Sequence, residues 1–354
     1  MEFPSSPTGF RNASRCTGMG RTADATSLAD DLTGALEVGA AFAQQGIGTQ
    51  VTTQHTTPAL VIDMETRHMN PADAAQRVRE LMDRIEARLI YVKTDSTLRG
   101  NIGAELTAIS KIAPVLYAPA YPRMGRTVRN GRLFVDGVPV ENTQFAHDAL
   151  NPVNDGCIAH LFDERACISI RDGETDEDIA EAAREAISGG YIAAGPAALA
   201  QAIAREIGLP RTERISIPSI RKALVVNGSL HERSLLQIEI AEADPAFLWT
   251  IWKREFGVSR TPLENAAYEA DRISKVIQAG DFDALIVFGG DTAYSILRAL
   301  GITTLDSIAE ILPGVPVSHI PGGPLLITKA GGFGPPDLLR DLFVTMHDAL
   351  THNR

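Results

Sequence analysis

Cysteine is scarce in this sequence, since only Cys16, Cys157 and Cys167 occur among 354 residues. The three are too far apart for a C-x-x-C or zinc-binding spacing, so the sequence predicts neither a disulfide framework nor a cysteine-ligated metal. Long apolar runs are also missing. No segment approaches the ~18 consecutive apolar residues of a transmembrane helix, and the first twenty residues lack the apolar core of a secretory signal. These absences predict a cytoplasmic protein with no membrane partner.

Positive charge is low as well. The chain carries 33 Lys and Arg against 44 Asp and Glu, which gives a formal net charge of −11. Nucleic-acid binders usually present a basic surface, so no nucleic-acid partner is predicted. A small anionic ligand is compatible with this charge only where local cations outweigh the field of the whole protein.

Several cofactor and catalytic motifs are absent. The sequence has no G-x-x-x-x-G-K-[ST], no protein-kinase signature set, no G-x-S-x-G and no H-E-x-x-H. Residues 18–23, "GMGRTA", match G-x-G-x-x-A, but they follow no predicted strand and open no helix, which disfavours an NAD-dependent oxidoreductase. The eight histidines are scattered singly and are interpreted as surface or core residues.

What is present is a regular alternation of strand and helix signals. Apolar strands such as "ALVIDM", "LIYVK" and "ALIVFGG" alternate with amphipathic helices such as "PADAAQRVRELMDRIEA". This order predicts an α/β protein with two domains, each a mainly parallel sheet flanked by helices, and an active-site cleft between them. Residues 1–26 show no periodicity and predict a disordered leader. The proline-containing segment 209–221 is interpreted as a linker, so residues 27–210 and 211–354 are the predicted domains.

Polar clusters follow the predicted strands of the first half. Ligands bind outside the carboxyl ends of strands in parallel sheets, and "KTDSTLRGN" and "PAYPRMGR" occupy such positions. "ADDLTGA" adds two carboxylates before a helix. One of them could simply cap that helix, and a loop cation is usually just solvated, but the mixture suits a polyhydroxylated ligand. The candidates are Asp30, Asp31, Lys93, Asp95, Ser96, Arg99 and Arg126.

Glycine-rich turns follow the predicted strands of the second half. Gly289-Gly290 lies between a strand and a helix, and "TKAGGFGPPDLL", which contains Lys329, has the same arrangement. A missing Cβ lets backbone N–H groups approach a ligand, and a helix N-terminus favours an anion. Either motif alone is also typical of tight turns in an α/β fold. Two such turns at one sheet edge, with Gly228-Ser229 after another strand, predict a phosphate cradle.

Taken together, these segments resemble the four-carbon acid sugar kinases, a family that includes D-threonate, D-erythronate and 3-oxo-tetronate kinases. Six segments carry the resemblance, in the same order and over nearly the whole chain. They are "ADDLTGA", "KTDSTLRGNIGAEL", "APAYPRMGRTVRNGRLFVDGVPV", "NGSLHERSLLQ", "FGGDTAYSILRALG" and "TKAGGFGPPDLL".

The resemblance implies Mg²⁺- and ATP-dependent phosphorylation of a sugar-acid hydroxyl, with an N-terminal substrate domain and a C-terminal ATP-binding domain. D-threonate or D-erythronate is preferred over a 3-oxo-tetronate as the expected substrate. The resemblance implies that the seven candidates of the first half recognise the substrate. It also implies that the nucleotide is contacted by Ser229, Gly289, Gly290, Asp291, Thr292, Gly331, Gly332 and Gly334. Metal ligands are not assigned, and a homo-oligomer is left open.

Catalytic roles are expected within two pairs of residues. Phosphoryl transfer depends mainly on positioning and on neutralising the charge of the transferred group. Asp31 or Asp95 is expected to orient or deprotonate the accepting hydroxyl, and Lys329 or Arg99 to neutralise the phosphoryl group. The sequence does not identify which member of either pair has the role.

One feature departs from the family pattern. Members begin with an apolar strand that runs straight into "ADD", whereas "RTADATSLADD" is too polar for a buried strand. The sequence therefore predicts that the first strand is missing. The alternative function is a catalytically impaired relative that binds nucleotide and sugar acid but has a degenerate N-terminal strand.

Overall fold

A computed structural model of the chain describes residues 23–54, 60–148, 150–209, 216–252 and 262–347. Most of the predicted leader and part of the predicted linker lie outside these residues, so the domain boundary between 210 and 211 stays a prediction. Within the described ranges, no helix is long and apolar enough to cross a membrane.

The described residues form nine α-helices and sixteen β-strands. The helices are α1 (Leu32–Ala43), α2 (Pro71–Met82), α3 (Ile102–Ser110), α4 (Asp176–Gly189), α5 (Ala197–Glu206), α6 (Glu232–Ala243), α7 (Pro262–Ala279), α8 (Gly290–Ala299) and α9 (Leu338–His347). The strands of the first half are β1 (Ala23–Ala29), β2 (Gln50–Thr52), β3 (Val61–Asp63), β4 (Ala87–Lys93), β5 (Val115–Tyr117), β6 (Arg126–Arg129), β7 (Arg132–Val135), β8 (Val138–Pro139), β9 (Ile168–Ile170) and β10 (Ile192–Gly195). Those of the second half are β11 (Ala223–Asn227), β12 (Thr250–Ile251), β13 (Ala284–Phe288), β14 (Thr304–Leu312), β15 (Val315–His319) and β16 (Leu325–Lys329).

Thirteen of these strands form one sheet, in the order β12-β11-β13-β16-β15-β14-β2-β3-β1-β4-β10-β5-β9. At one end of that order, neighbouring strands pair in parallel throughout the run β2-β3-β1-β4-β10-β5-β9. At the other end, β12, β11, β13 and β16 also pair in parallel. The two parallel blocks are joined through antiparallel β14 and β15, and β14 pairs with β2. The predicted α/β class with mainly parallel sheets is confirmed, and the two blocks form a continuous sheet.

The first strand is present, so the prediction that it is missing was wrong. β1 lies between β3 and β4 and pairs in parallel with both. Its polar side chains Thr26 and Ser27 are each only 1% exposed. Small hydroxyl side chains fit a crowded central strand, and a β-branched Thr favours extended backbone. The leader boundary at residue 26 was wrong for the same reason, because residues 23–26 belong to β1.

Helix α1 lies at the centre of the molecule, and all twelve of its residues are buried. It packs against β3 on the side of the first half, against β14 and β15 from the second half, and against α5. A helix that is buried on every face is typical of a protein interior. The residues at the start of α1 are therefore held rigidly where the two parallel blocks meet.

Other local predictions can be compared directly with the elements. The Asn130-Gly131 hairpin between β6 and β7 is confirmed, and both residues have positive φ, at 50° and 70°. The predicted strand "AFLWTIW" is only two residues long as β12. The nine-residue strand β14 was not predicted, since "TLDSIAEIL" has no clear alternation of polar and apolar residues.

Candidate active site

A cluster of opposite charges lies where β1, β3 and β4 end side by side. Arg67, in the loop after β3, donates from Nε to Asp30 Oδ2 at 2.7 Å and from Nη1 to Asp31 Oδ2 at 2.5 Å. Its Nη2 lies 3.6 Å from Asp95 Oδ2. Burial raises the pKa of Asp30 in spite of the Arg67 cation beside it. One guanidinium therefore holds three of the predicted carboxylates together.

Asp31 begins α1 as its N-cap. Its Oδ1 accepts a hydrogen bond from the backbone N–H of Gly34 at 2.8 Å, an arrangement in which Asp is favoured. The side chain is 16% exposed, whereas that of neighbouring Asp30 is 2% exposed. Of these two carboxylates, Asp31 is the one that a ligand can reach more readily.

Asp95 and Arg99 form a tight pair within the loop after β4. Arg99 Nη2 lies 2.8 Å from Asp95 Oδ2, and Thr97 donates to Asp95 Oδ1 through its backbone N–H at 2.8 Å and through its hydroxyl. Burial alone would raise the pKa of Asp95, but Arg99 and Arg67 hold it well below its usual range. Arg99 also contacts Asp148 Oδ2 at 3.2 Å. Both members of the pair are largely neutralised by each other.

Lys93, the last residue of β4, and Ser96, in the loop after it, are buried, at 4% and 8% exposure. Lys93 Nζ donates to Thr94 O at 3.0 Å and lies 3.8 Å from Glu37 Oε2 on α1. Burial raises the pKa of Glu37 to about 7, against the opposing effect of the Lys93 cation. A Cβ built on Gly34 would lie 2.9 Å from Lys93 Nζ, so the ammonium group sits directly against the first turn of α1.

Arg126 is the remaining predicted cation of the first half. Its guanidinium lies over the ring of Phe333, 5.4 Å from the centroid, and donates from Nη1 to Met124 O. Burial lowers its pKa. Its buried Nε has no hydrogen-bond partner in the described part of the chain, so this N–H is available to an acceptor on a ligand.

The glycine turns of the second half converge at the ends of β11, β13 and β16, which are neighbours in the sheet. A Cβ on Gly228 would clash with the Thr292 hydroxyl, and one on Gly331 would clash with the Ser229 hydroxyl. Gly289 has φ of 110°, which only glycine adopts readily. The backbones of the Gly228 and Gly331 turns therefore pack directly against hydroxyl side chains of neighbouring turns. Helix α8 begins at Gly290.

The other predicted nucleotide residues differ in position. Gly332 lies against His231, because a Cβ there would be 3.0 Å from the His231 Nε2 atom. Asp291 is in the first turn of α8, and its side chain is 78% exposed. Gly334 packs instead against Leu338 of α9. Gly334 is thus part of the turn into α9, and its contacts are not with the Gly228 and Gly289 turns.

Lys329 ends β16 and is only 1% exposed. Its Nζ donates to Ser234 Oγ at 3.2 Å, to Ala330 O at 2.9 Å and to Gly331 O at 3.0 Å. Burial, with a smaller effect of the Arg233 cation, lowers the pKa of Lys329 to about 7. Lys329 makes no ion pair within the described residues, in contrast to Arg99.

The two groups of residues meet across a cleft. A Cβ on Gly290 would clash with the Thr33 hydroxyl and lie 3.6 Å from Asp31 Oδ2. His68 Nε2, in the loop after β3, lies 3.6 Å from Asp291 Oδ1. The glycine turn at the start of α8 therefore directly faces the carboxylate at the start of α1.

Sequence reasoning missed three residues of this site. Arg67 follows the predicted strand "ALVIDM", so the strand-end rule could have found it if that loop had been included. His68 and His231 were set aside with the other histidines, yet both lie at the cleft. Their position depends on contacts between segments far apart in the chain, and no local spacing signals such contacts.

Two family models match the chain, one in each half. Residues 26–167 match the family model described as "Sugar-binding N-terminal domain", and residues 250–339 match "Nucleotide-binding C-terminal domain". In solved structures, a Salmonella typhimurium LT2 protein has a similar fold with a TM-score of 0.70 at 19% identity, covering 91% of this chain and 99% of the other. A Haemophilus influenzae protein has a TM-score of 0.66 at 20% identity, covering 90% of this chain and all of the other.

Similar curated proteins extend over most of the chain. A D-threonate kinase of Bordetella bronchiseptica is 27% identical, covering 88% of this chain and 95% of the relative. A D-threonate kinase of Cupriavidus necator is 29% identical over 87% and 94%, and a 3-oxo-tetronate kinase of Methylobacterium radiotolerans is 24% identical over 88% and 96%. With both family models matching in order, the chain belongs to the four-carbon acid sugar kinase family of phosphotransferases.

Proposed function

We propose that this family member uses ATP to phosphorylate a hydroxyl group of D-threonate or D-erythronate. The observation that carries the proposal is the close approach of Gly290 to the start of α1, since a Cβ on Gly290 would clash with the Thr33 hydroxyl and lie 3.6 Å from Asp31 Oδ2. A hydroxyl bound at Asp31 would face a phosphate bound at the turns. Holding both reactants in this orientation is the main requirement of phosphoryl transfer.

The charges of the first half suit a four-carbon sugar acid. Lys93 and Arg126 are buried cations that can bind its carboxylate, and Arg126 Nε is free for an acceptor within the described residues. Asp30 and Asp31 offer acceptors to its hydroxyl groups, and Ser96 can donate or accept. We assign Arg99 to positioning Asp95, because it is already paired with two carboxylates.

Asp31 is the better candidate for orienting or deprotonating the accepting hydroxyl. Asp95 accepts hydrogen bonds from Arg99 and Thr97, and its pKa is held well below the usual range. A carboxylate stabilised in this way is a weak base. Asp31 is more exposed and faces Gly290 across the cleft, so it is placed near both reactants.

Lys329 is the better candidate for neutralising the transferred phosphoryl group. Arg99 is compensated by Asp95 and Asp148, whereas Lys329 donates only to neutral oxygens. The positive charge of an ammonium group without a carboxylate partner is not compensated within the site and can pair with an anionic ligand. Lys329 also lies beside the Gly331 turn, where nucleotide phosphates are proposed to bind.

Mg²⁺ is expected to accompany ATP and, when bound, would neutralise phosphate charge. The described residues contain no cluster of three metal ligands. In the usual Mg²⁺ site of a kinase, one or two carboxylates and the substrate phosphates hold the ion. Asp291, exposed at the first turn of α8, is the carboxylate that would contribute there.

The impaired-relative alternative rested on a missing first strand. β1 is present and correctly followed by Asp30 and Asp31, so the feature that favoured this alternative is gone. We therefore propose an active kinase. The cytoplasmic location suggested by the sequence stays a prediction.

A coupled ADP-release assay with Mg²⁺-ATP tests the function. The panel contains D-threonate, D-erythronate, L-threonate and 3-oxo-tetronates. We expect the highest kcat/KM with D-threonate or D-erythronate. A higher value with a 3-oxo-tetronate would overturn the substrate assignment alone, whereas ATP binding without turnover of any panel member would favour the impaired relative.

The lowered pKa of Lys329 predicts that kcat/KM for ATP depends on pH. Because its pKa is lowered to about 7, the ammonium form that attracts phosphate is lost as pH rises through about 7. We expect kcat/KM for ATP to fall over that range. Bound nucleotide is anionic and favours the charged form, so the corresponding fall in kcat should lie at higher pH. The measurement is kcat and KM for ATP between pH 5.5 and 9.

Two variants make this prediction specific. Lys329→Met should lower kcat/KM for ATP and remove its decline near pH 7. Lys222→Met is a matched control. Lys222 Nζ lies 5.0 Å from the Phe282 ring centroid, much as Lys329 Nζ lies 4.5 Å from that of Phe288, but Lys222 precedes β11 at the opposite end of the strand. If Lys329→Met retained the wild-type pH profile, another group would be responsible for it.

A further inference from the structure

A short segment of the first half reaches over the site, and we call residues 143–148 the strap. Gln144–His147 form a single 3₁₀ turn capped by the Thr143 hydroxyl. Two strap side chains hold Arg99. The Arg99 guanidinium lies 5.4 Å from the Phe145 ring centroid, and its Nη1 lies 3.2 Å from Asp148 Oδ2. The position of the strap thus helps to fix Arg99, and through Arg99 the carboxylate of Asp95.

The strap also contacts the nucleotide side of the cleft. Gln144 Oε1 lies 3.1 Å from His231 Nε2, which joins segments 87 residues apart. The His231 side chain packs against the second glycine turn, because a Cβ on Gly332 would lie 3.0 Å from the ring atom Nε2 and one on Gly331 would lie 3.3 Å from the His231 Cβ atom. A phosphate held at this turn would therefore lie beside the same imidazole that contacts the strap.

The direction of the Gln144–His231 hydrogen bond follows from a second contact. The backbone N–H of Arg233 donates to His231 Nδ1 at 3.1 Å, so Nδ1 carries a lone pair and no proton. The neutral ring must then carry its proton on Nε2 and donate it to Gln144 Oε1. Burial and the Lys329 cation both lower the pKa of His231, which favours this neutral form.

We propose that Gln144 is a positioning residue that couples nucleotide binding to sugar-acid binding. The path runs from the Gly331-Gly332 turn through His231 and Gln144 to the strap, and from the strap to Arg99. Bound nucleotide fixes the imidazole and thereby orders the strap, so less ordering is left for the sugar acid to impose. The proposal rests on the proposed function, and such coupling must be reciprocal between the two ligands.

Calorimetric titration measures the coupling directly. D-threonate and D-erythronate are titrated into the full chain with and without a non-hydrolysable ATP analogue. In the wild type we expect the acid to bind at least about fivefold more tightly when the analogue is present. Gln144→Ala should bring this ratio close to one, with little change in affinity for the acid alone. Its KM for the acid at saturating ATP should rise by a similar factor while kcat changes less.

Two further variants separate this role from a general structural one. Gln144→Glu keeps an acceptor for the Nε2–H donor and should keep the coupling ratio. Gln76→Ala removes an exposed glutamine that bonds Glu80 on α2, and it should behave as wild type. An unchanged ratio in Gln144→Ala, equal losses in the Ala and Glu variants, or a wild-type ratio of one would overturn the inference alone. A wild type that binds the analogue but no panel acid would overturn the proposed function as well.

Discussion

Asp31→Asn should lower kcat by about 10³-fold while leaving the affinity for ATP close to that of the wild type. An amide cannot accept the proton of the substrate hydroxyl. It can still cap α1, because Asn and Asp are about equally good N-cap residues and Gly34 N–H needs only an acceptor. The ADP-release assay gives kcat, and thermal unfolding checks that the variant is folded.

Two other substitutions control this result. Asp178→Asn changes a carboxylate in the first turn of α4, remote from the cleft, and should leave kcat unchanged. Asp95→Asn should raise KM for the sugar acid and lower the free energy of unfolding, since it breaks the pair with Arg99. If Asp31→Asn kept more than a tenth of the wild-type kcat and Asp95→Asn did not, the base would be Asp95.

The element order was predictable because most elements carry their own signals. Pro71 at the start of α2 and the acidic first turn of α4 mark helix starts in the sequence. β1 was missed because polarity was used as the sign of an exposed strand. Thr26 and Ser27 are buried by neighbours on both sides, and a local pattern does not report those neighbours.

Local sequence patterns could not predict how the two halves of the sheet join. β2 pairs with β14 across about 250 residues, with Val51 opposite Leu305, and neither strand has a strong period-two pattern. That the candidate residues after β1 and β4 lie close together was predictable, because the topology of parallel sheets brings strand ends to one edge. Arg67 and the cross-cleft histidines depend on which loops meet, and that information is held in the tertiary structure.

Arg67→Met should destabilise the protein by about 3–5 kcal/mol at pH 7, the range measured when one partner of a buried ion pair is removed. Arg67 is 12% exposed and bonds Asp30 and Asp31 directly, with Asp95 3.6 Å away. Methionine fills a similar volume but leaves these carboxylates without their shared cation. Denaturant unfolding followed by tryptophan fluorescence gives the free energy of unfolding of both proteins.

The pH dependence distinguishes this electrostatic effect from a packing defect. In the wild type, Asp95 has a pKa well below its usual range, so it contributes stability above its unfolded-state pKa and loses that contribution as pH falls through the folded pKa. In Arg67→Met the carboxylates take up protons at higher pH, so the stability difference from wild type should shrink between pH 7 and pH 4. Arg79→Met, on the exposed face of α2, should cost less than about 0.5 kcal/mol at either pH. A difference that stayed constant with pH would instead mean that Arg67 stabilises the site through packing, and the three carboxylates would then need another source of compensation.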